Sequence, residues 1–493
     1  MRSSSGTTSD VLDTPNAGGM LIRGSALRAG GHVAIILLGL LSAPLLPRYL
    51  GIVSFGQYSQ VIALIAIVGL VTEAGISSVV IRELSTLGVE ERAQLMRNVL
   101  GLRLALTLAG IAVAVAVAAL AGYGATLVLG TVVAGAGLIV YTVQTSFVLP
   151  LAAELRFGWA TASDVLRQAV FVLLVVAAVV AGTGLQPIFA APLGASLVGT
   201  MVVLYRVRGT VPYLPAFDLG AWRSLLGQTQ PIAVAGALYS IYFRVMLLLL
   251  SFLAAEVETG YYALSFRVLE VLVGVPFILV ASALPLITRA ARDDQERLRY
   301  AFGRIWETAA IGGTLMAILT FLGAPLAIAF LAGRAEPVAV DVLRIQALAL
   351  LAVFLNTTYG TVMVALRMHR ELIVVNGLVL LETVVAALVL VPQYGAKGAA
   401  IAATIGECSL GVVYVLALAR ARPDLRPRLT LVPRLVGAAA LALTAALLIR
   451  VPLLPNVAST AIGGVVFLLL LACMRALPPE ISQALLRRRR HGA

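Results

Sequence analysis

Long apolar runs, separated by short segments that carry charge, proline or glycine, follow one another along almost the whole chain. About 20 mainly apolar residues are enough for an α-helix to cross the hydrocarbon core of a bilayer. The pattern therefore predicts an all-α, polytopic membrane protein with about fourteen transmembrane helices. Their approximate bounds are 29–47, 56–79, 100–121, 125–148, 160–181, 187–205, 230–252, 264–287, 305–330, 342–366, 371–391, 398–418, 434–450 and 459–475.

Basic residues are concentrated in alternate loops. They occur in the N-terminal tail, after the second, sixth, eighth and twelfth predicted spans, and in the C-terminal run Arg487–Arg490. Loops rich in Lys and Arg stay on the cytoplasmic side of a membrane. We therefore expect both termini in the cytoplasm, which an even number of spans requires.

A short motif occurs twice, after the first and after the seventh predicted span. FGQYSQ contains Gly56 and Tyr58, and ETGYYALS contains Gly260 and Tyr262. An offset of six helices keeps the orientation, so this repeat predicts two parallel six-helix lobes around a central cavity, with two extra helices outside the repeat. The predicted divisions are a disordered cytoplasmic tail (1–24), an N-lobe (25–208), a C-lobe (224–420), the extra helices (434–475) and a basic cytoplasmic tail (476–493).

Composition excludes several classes of protein. Charged residues make up 12% of the chain, against about 25% in soluble domains. The single lysine, Lys397, is followed by Gly398 and a phosphate-binding loop of the Gly-Lys-Ser/Thr type is absent, so we do not expect ATP hydrolysis. The three histidines are scattered and the two cysteines lie inside predicted spans, which predicts no metal site, no cofactor and no disulfide framework. The net charge of +13 is attributed to cytoplasmic loops and not to nucleic-acid binding.

Four arginines are candidates for substrate contact. Arg244 lies inside an apolar run, Arg48 ends the first span, Arg28 precedes it, and Arg267 lies near the start of the eighth. A guanidinium keeps its charge when poorly hydrated and binds phosphate through a planar fork of donors. A cavity lined by these cations would attract a diphosphate. The alternatives are a structural ion pair for Arg244, a pair with Glu270 for Arg267, and a topology signal for Arg28.

Three acids inside predicted spans are candidates for ion coupling. Glu73, Glu382 and Glu407 could each carry a proton or bind Na⁺ in a dry cavity. The alternative for each is an interhelical hydrogen bond, and Glu407 lies among small residues where helices pack closely.

Three segments resemble bacterial polysaccharide flippases of the multidrug/oligosaccharidyl-lipid/polysaccharide exporter superfamily. They are PLLPRYLGIVSFGQYSQVIALIAIVGLVTEAGISSVVIREL at 44–84, the region 231–289, and VPQYGAKGAAIAATIGE at 391–407. Two positions depart from the family's pattern. The seventh span commonly reads Arg-x-Asp, whereas Arg244 is followed by Val245 and Met246, and Glu382 stands where the family often has Asn.

The resemblance implies a transporter that catalyses no covalent change and is therefore not an enzyme. Its implied substrate is an oligosaccharide on undecaprenyl diphosphate, flipped from the inner to the outer leaflet of the bacterial plasma membrane by alternating access, for cell-surface polysaccharide biosynthesis. The implied partners are membrane lipid, a polysaccharide polymerase and glycosyltransferases.

Other functions remain open at this point. A lipid II transporter is a close variant. A multidrug cation antiporter of the same superfamily would favour an acidic or aromatic cavity, which the intramembrane arginines disfavour. A membrane glycosyltransferase or polymerase would need acids at metal-ligand spacing or a large external loop. The one adjacent Asp pair, Asp293-Asp294, lies in a charged cytoplasmic loop. A non-transporting scaffold would have no use for Arg244 in mid-span.

Overall fold

A computed structural model of the chain describes residues 17–73, 75–154, 156–208, 214–281, 287–290, 294–427, 429–448 and 455–474. Within these ranges every regular element is a helix, which confirms the predicted all-α class. The principal helices are α1 (Ala17–Ser42), α2 (Leu45–Glu73), α3 (Ile76–Leu84), α4 (Val89–Leu120), α5 (Ala125–Ala153), α6 (Phe157–Val180), α7 (Leu185–Val207), α8 (Leu219–Leu253), α9 (Glu256–Ala281), α10 (Gln295–Ala332), α11 (Pro337–Ala365), α12 (His369–Ala421), α13 (Leu431–Leu448) and α14 (Pro455–Cys473).

Twelve helical segments of the described chain are long and apolar enough to cross a membrane. One of them, α12, has 53 residues and is interrupted at Gly395, whose φ of 55° and ψ of −130° are not helical. In addition, α1 contains the shorter apolar stretch Leu27–Ser42. The twelve segments count α12 once. If α12 crosses the membrane twice and α1 crosses it once, the total is the fourteen spans expected from the sequence. That number stays a prediction.

The first boundary between predicted spans, at about 48–55, contains a break in a helix. These residues lie inside α2, which begins at Leu45, and α2 is interrupted at Gly51, where φ is 72° and ψ is 175°. That conformation is available to glycine because it has no Cβ. The break thus falls in the expected boundary, but helical residues on both sides of Gly51 stand where we expected a loop. Proline is tolerated in the first turn of a helix, so Pro47 does not prevent helix formation there.

The second predicted span, 56–79, is also interrupted. Helix α2 ends at Glu73, and α3 begins after Gly75, which has a φ of 77°. At the N-terminus, α1 begins at Ala17, inside the segment predicted as a tail. The remainder of that tail, residues 1–16, and the predicted basic tail 476–493 lie outside the described residues.

The helices form two compact units. The first takes the chain as far as Leu50 and then Gln60–Ser240. Its core includes a cluster around Val80, Met96 and Val99, where α3 packs on α4 and α5. The predicted N-lobe and C-lobe remain a prediction.

The second unit takes Gly51–Ser59 and the chain from Ile241 onward. Its core is a cluster around Phe302, Trp306 and Tyr359. Helices α13 and α14, the two that lie outside the sequence repeat, pack on each other and on α10 within this unit.

The two glycines of the repeated motif pack directly against each other in the second unit. A Cβ built on Gly56 would lie 2.7 Å from the backbone nitrogen of Gly260. A Cβ built on Gly260 would lie 2.2 Å from the carbonyl oxygen of Ile52. Both positions require glycine because the backbones of α2 and α9 approach too closely for a side chain.

Candidate functional site

One carboxylate joins two of the predicted arginines in the second unit. Glu270 of α9 accepts a hydrogen bond from Nη2 of Arg244 on α8, with an N–O distance of 2.8 Å. It also accepts one from Nη1 of Arg267, one helical turn earlier on α9, at 3.0 Å. The pair between Arg267 and Glu270 was expected from their spacing. The ion pair considered as the alternative for Arg244 is also present, and its partner, Glu270, was not predicted. We call these three residues the arginine triad.

The arginine triad carries a net positive charge because two guanidiniums share one carboxylate. It is partly accessible, since the exposed side-chain fractions are 17% for Arg244, 29% for Glu270 and 44% for Arg267. The triad is therefore partly exposed at the surface of the second unit and is not a neutral ion pair. The Nε atom of Arg244 is buried and has no hydrogen-bond partner among the described residues.

Aromatic residues lie near the arginine triad and beside it on the same helices. Tyr58 of α2 is buried and interacts electrostatically with both Arg267 and Glu270. The rings of Phe243 and Phe266, each next to a triad arginine in the sequence, have centroids 5.1 Å apart, and Phe266 stacks on Tyr262 at 6.0 Å. These three rings line the cavity at Glu407. Of the two tyrosines of the repeated motif, Tyr58 thus lies near the triad and Tyr262 lies at that cavity.

The other two predicted cations lie in the first unit. Arg48 is exposed near the start of α2. Arg28 is exposed on α1, and its Cζ lies 5.2 Å from the centroid of the Phe157 ring on α6. The structure therefore brings together two of the four predicted cations, Arg244 and Arg267.

A buried arginine of the first unit was missed by the sequence reasoning. Arg103 of α4 has an exposed side-chain fraction of 1%, and its guanidinium pairs with Glu73. It also donates to Ser77 at 2.8 Å and to Ser146 at 3.3 Å. Its position inside the predicted span at 100–121 was the signal that could have identified it.

Glu407 lines a small cavity within the second unit. Its side chain is 9% exposed, and its carboxylate accepts a hydrogen bond of 2.8 Å from Nδ2 of Asn356 on α11. The cavity has a volume of about 30 Å³ and is also lined by Tyr242, Gln346 and Thr383. One water needs about 10–15 Å³ of such space. The cavity thus suits a water or a small cation, and it is too small for an organic substrate.

The remaining candidate acid, Glu382, is exposed on the first half of α12. It accepts a hydrogen bond of 2.7 Å from Ser409 on the second half. The interhelical hydrogen bonds that the sequence allowed are thus present for both Glu382 and Glu407. Neither contact tests a role in ion coupling.

Residues 21–291 match the family described as "Polysaccharide biosynthesis protein", and this segment is more than half of the chain. The chain belongs to this family. The matched region contains α2 with its repeated motif and the whole arginine triad. A search of curated proteins returns no match.

Solved structures with the same fold are flippases and transporters. A lipid II flippase, MurJ, in an inward closed conformation is 14% identical, with a TM-score of 0.75 over 91% of this chain and 98% of that chain. An inward-facing MATE family multidrug transporter of the MOP superfamily is 15% identical, with a TM-score of 0.61 over 79% and 94%. A MOP superfamily transporter from Pyrococcus furiosus, described as having a binding pocket of reverse polarity, is 16% identical, with a TM-score of 0.53 over 85% and 99%.

The family match and the fold together confirm the resemblance found in the sequence. This member of the polysaccharide biosynthesis family is a multi-pass membrane protein with the fold of the lipid II flippase and MATE transporter structures.

Proposed function

We propose that this protein flips an oligosaccharide linked to a polyprenyl diphosphate from the inner to the outer leaflet of the bacterial plasma membrane. The observation that carries the proposal is the arginine triad, in which two guanidiniums remain partly accessible inside apolar helices and share a single carboxylate. A diphosphate is the chemical group that such an excess of fixed positive charge would bind. The family match supports a role in polysaccharide biosynthesis.

Glu270 gives the arginine triad a way to bind and to release its ligand. An unpaired guanidinium in an apolar environment is costly, so each arginine needs an anionic partner in every state of the transport cycle. When the diphosphate arrives, it would replace the carboxylate on one or both guanidiniums. When the diphosphate leaves, Glu270 would take the guanidiniums back. The exchange keeps the arginines charged and paired while the ligand changes.

Arg48 and Arg28 are proposed as additional contacts for the lipid-linked substrate. Both are exposed cations of the first unit. The same proposal includes transport by alternating access, termini in the cytoplasm, and a polysaccharide polymerase and glycosyltransferases as partners. Lipid II is a second candidate substrate because the structure of a lipid II flippase shares the fold. Both candidates carry a polyprenyl diphosphate, so the arginine triad would have the same role for each.

Among the acids, we propose Glu407 as the ion-coupling residue. Glu73 is already neutralised by Arg103, and Glu382 is exposed. Glu407 alone of the three adjoins the cavity of about 30 Å³ described above. E407Q should abolish the dependence of transport on an imposed proton or Na⁺ gradient, while E407D should retain part of it. An unaltered gradient dependence in E407Q would contradict this assignment.

The test of the proposed function is a reconstituted flipping assay. Purified protein in liposomes would be given a fluorescent undecaprenyl-diphosphate oligosaccharide, and exposure of the label on the opposite leaflet would be followed with an impermeant quencher. We expect transport by the wild type and at least a ten-fold loss in R244Q. R304Q is the matched control, because Arg304 is likewise a partly buried arginine of the second unit that pairs with a carboxylate, Glu307, at 2.8 Å. Transport of a cationic drug without transport of the lipid would favour the multidrug antiporter instead.

A further inference from the structure

A groove runs along the outside of α12, between its two halves on either side of Gly395. Its volume is about 450 Å³. One side is formed by Val374 and Leu378 of the first half, and the other by Val413, Leu416 and Ala417 of the second half. These residues recur at intervals of three and four, so each half presents one continuous stripe to the groove. The groove is apolar along its length.

One end of the groove is basic. Arg370, at the start of the first half of α12, and Arg420, at the end of the second half, line this end together with Glu371. Both arginines are exposed, and no carboxylate in the described part of the chain lies within ion-pair distance of either guanidinium. The neighbouring Arg422, in contrast, is occupied by Asp424 at 2.8 Å.

The groove therefore has a basic end followed by an apolar lining. Its mouth offers two guanidiniums. Beyond them the lining is aliphatic and extends to Leu378, about 12 Å from Arg370 at the rise of an α-helix. A ligand that satisfies both parts has an anionic head and an aliphatic chain. Basic pockets between membrane helices at the cytoplasmic side bind the headgroups of anionic lipids.

We propose that this groove is a binding site for an anionic glycerophospholipid of the inner leaflet. The phosphodiester lies between Arg370 and Arg420, and one acyl chain lies along the stripes of α12. The site is distinct from the arginine triad and does not depend on the proposed transport substrate.

The charge of the mouth matches a phosphodiester. Two guanidiniums and the carboxylate of Glu371 give a net charge of +1, which a phosphodiester with its single negative charge neutralises. The arginine triad has the same net charge, so charge alone does not separate a phospholipid from the polyprenyl-diphosphate substrate. The competition with undecaprenyl diphosphate described below makes that distinction.

The test uses the purified full-length protein and native mass spectrometry, with phosphatidylglycerol as the probe and zwitterionic phosphatidylcholine as the reference lipid. Each guanidinium near a membrane surface contributes about a five-fold gain in affinity for anionic lipid. We expect R370Q/R420Q to lose about 25-fold in phosphatidylglycerol binding and R370K/R420K to keep most of it. R426Q/R434Q is the matched control, because both of its arginines are exposed on the same side of the chain and neither lines the groove. Equal losses in the control and the groove variant would refute a specific site.

The apolar part is tested separately. The variant L378A/L416A removes one leucine side chain from each side of the groove. Its control, L381A/L388A, removes two exposed leucines of α12 that do not line the groove. We expect only the first variant to weaken long-chain phosphatidylglycerol, while neither should change the weak binding of glycerol phosphate. Displacement of phosphatidylglycerol by an equal concentration of undecaprenyl diphosphate would assign the groove to the transport substrate and overturn the proposal. Phosphatidylcholine binding as tight as that of phosphatidylglycerol would overturn it as well.

Discussion

Replacing Glu270 by glutamine should tighten the binding of a polyprenyl diphosphate while making the protein less stable. The carboxylate accepts hydrogen bonds of 2.8 Å from Arg244 and 3.0 Å from Arg267. Glutamine keeps one acceptor oxygen, but its amide NH2 is a hydrogen-bond donor. One of the two arginines would therefore face a donor in place of the carboxylate oxygen. A ligand then no longer competes with a carboxylate for the guanidiniums.

The size of the effect follows from the exposure of the arginine triad. A hydrogen bond to a charged group contributes about 1.5–3 kcal/mol, and the lower end applies because Glu270 is 29% and Arg267 is 44% exposed. If the diphosphate must displace one such bond, E270Q should bind it about ten-fold more tightly, since about 1.4 kcal/mol is a factor of ten. The free energy of unfolding should fall by about 1.5–3 kcal/mol, because one of the two charged contacts is lost in the ligand-free protein.

The assay is calorimetric titration of purified protein with farnesyl diphosphate, together with the thermal unfolding temperature of each variant. E307Q is the matched control, because Glu307 pairs with Arg304 over the same three-residue spacing at 2.8 Å. This control should lose stability without any gain in affinity. Weaker or unchanged binding in E270Q would refute the idea that the carboxylate and the diphosphate exchange on the same guanidiniums.

Three further outcomes are expected. G260A should lower the free energy of unfolding by about 1–3 kcal/mol, because its Cβ would lie 2.2 Å from a carbonyl oxygen. G274A on the same helix, where a Cβ meets nothing within 4 Å, should be neutral or slightly stabilising in the same thermal unfolding assay, and equal losses would refute the close-contact argument. R103M should lower the free energy of unfolding by about 1–3 kcal/mol, because Glu73, whose side chain is 44% exposed, loses its charged partner and keeps only the hydrogen bond from Ser77. A denaturant titration that finds no loss would contradict that account. The hydrogen bonds from Arg422 hold the pKa of Asp424 below its usual range, so the stabilisation is present above about pH 4 and is lost as the pH falls through that lowered pKa. Unfolding temperatures of wild type and D424N should therefore converge below about pH 4, and a constant difference down to pH 2 would count against it.

Long-range contacts explain where the sequence reasoning stopped. The pair of Arg267 and Glu270 could be predicted because residues three apart share a helix face. The contact of Arg244 with Glu270 could not, because the two residues are 26 positions apart on different helices. Arg103 and Glu73, 30 positions apart, present the same problem. Which residues meet between two helices depends on how far each helix is rotated and on its depth in the membrane, and apolar composition alone specifies neither.

The breaks within helices divide in a similar way. Gly395 lies in the boundary expected between two spans, because the proline and glycines nearby indicate an interruption. Gly51 likewise lies in an expected boundary, at about 48–55, but the sequence predicted a loop there and not a single break within a helix. A single glycine permits a positive φ but does not require one. The segment that follows the break, Gly51–Ser59, packs with the second unit.

The sequence by itself determined that the chain is a bundle of apolar helices, which family it resembles, and that Arg244 lies in mid-span. These properties depend on hydrophobicity and spacing over about 20 neighbouring residues, which can be read without knowledge of the fold. Only the tertiary structure decided that Glu270 serves two arginines, that Glu407 faces a small cavity beside Asn356, and that Arg370 and Arg420 meet at one end of an apolar groove. Each of these depends on side chains from different turns or helices converging at one point, and that convergence is created by packing.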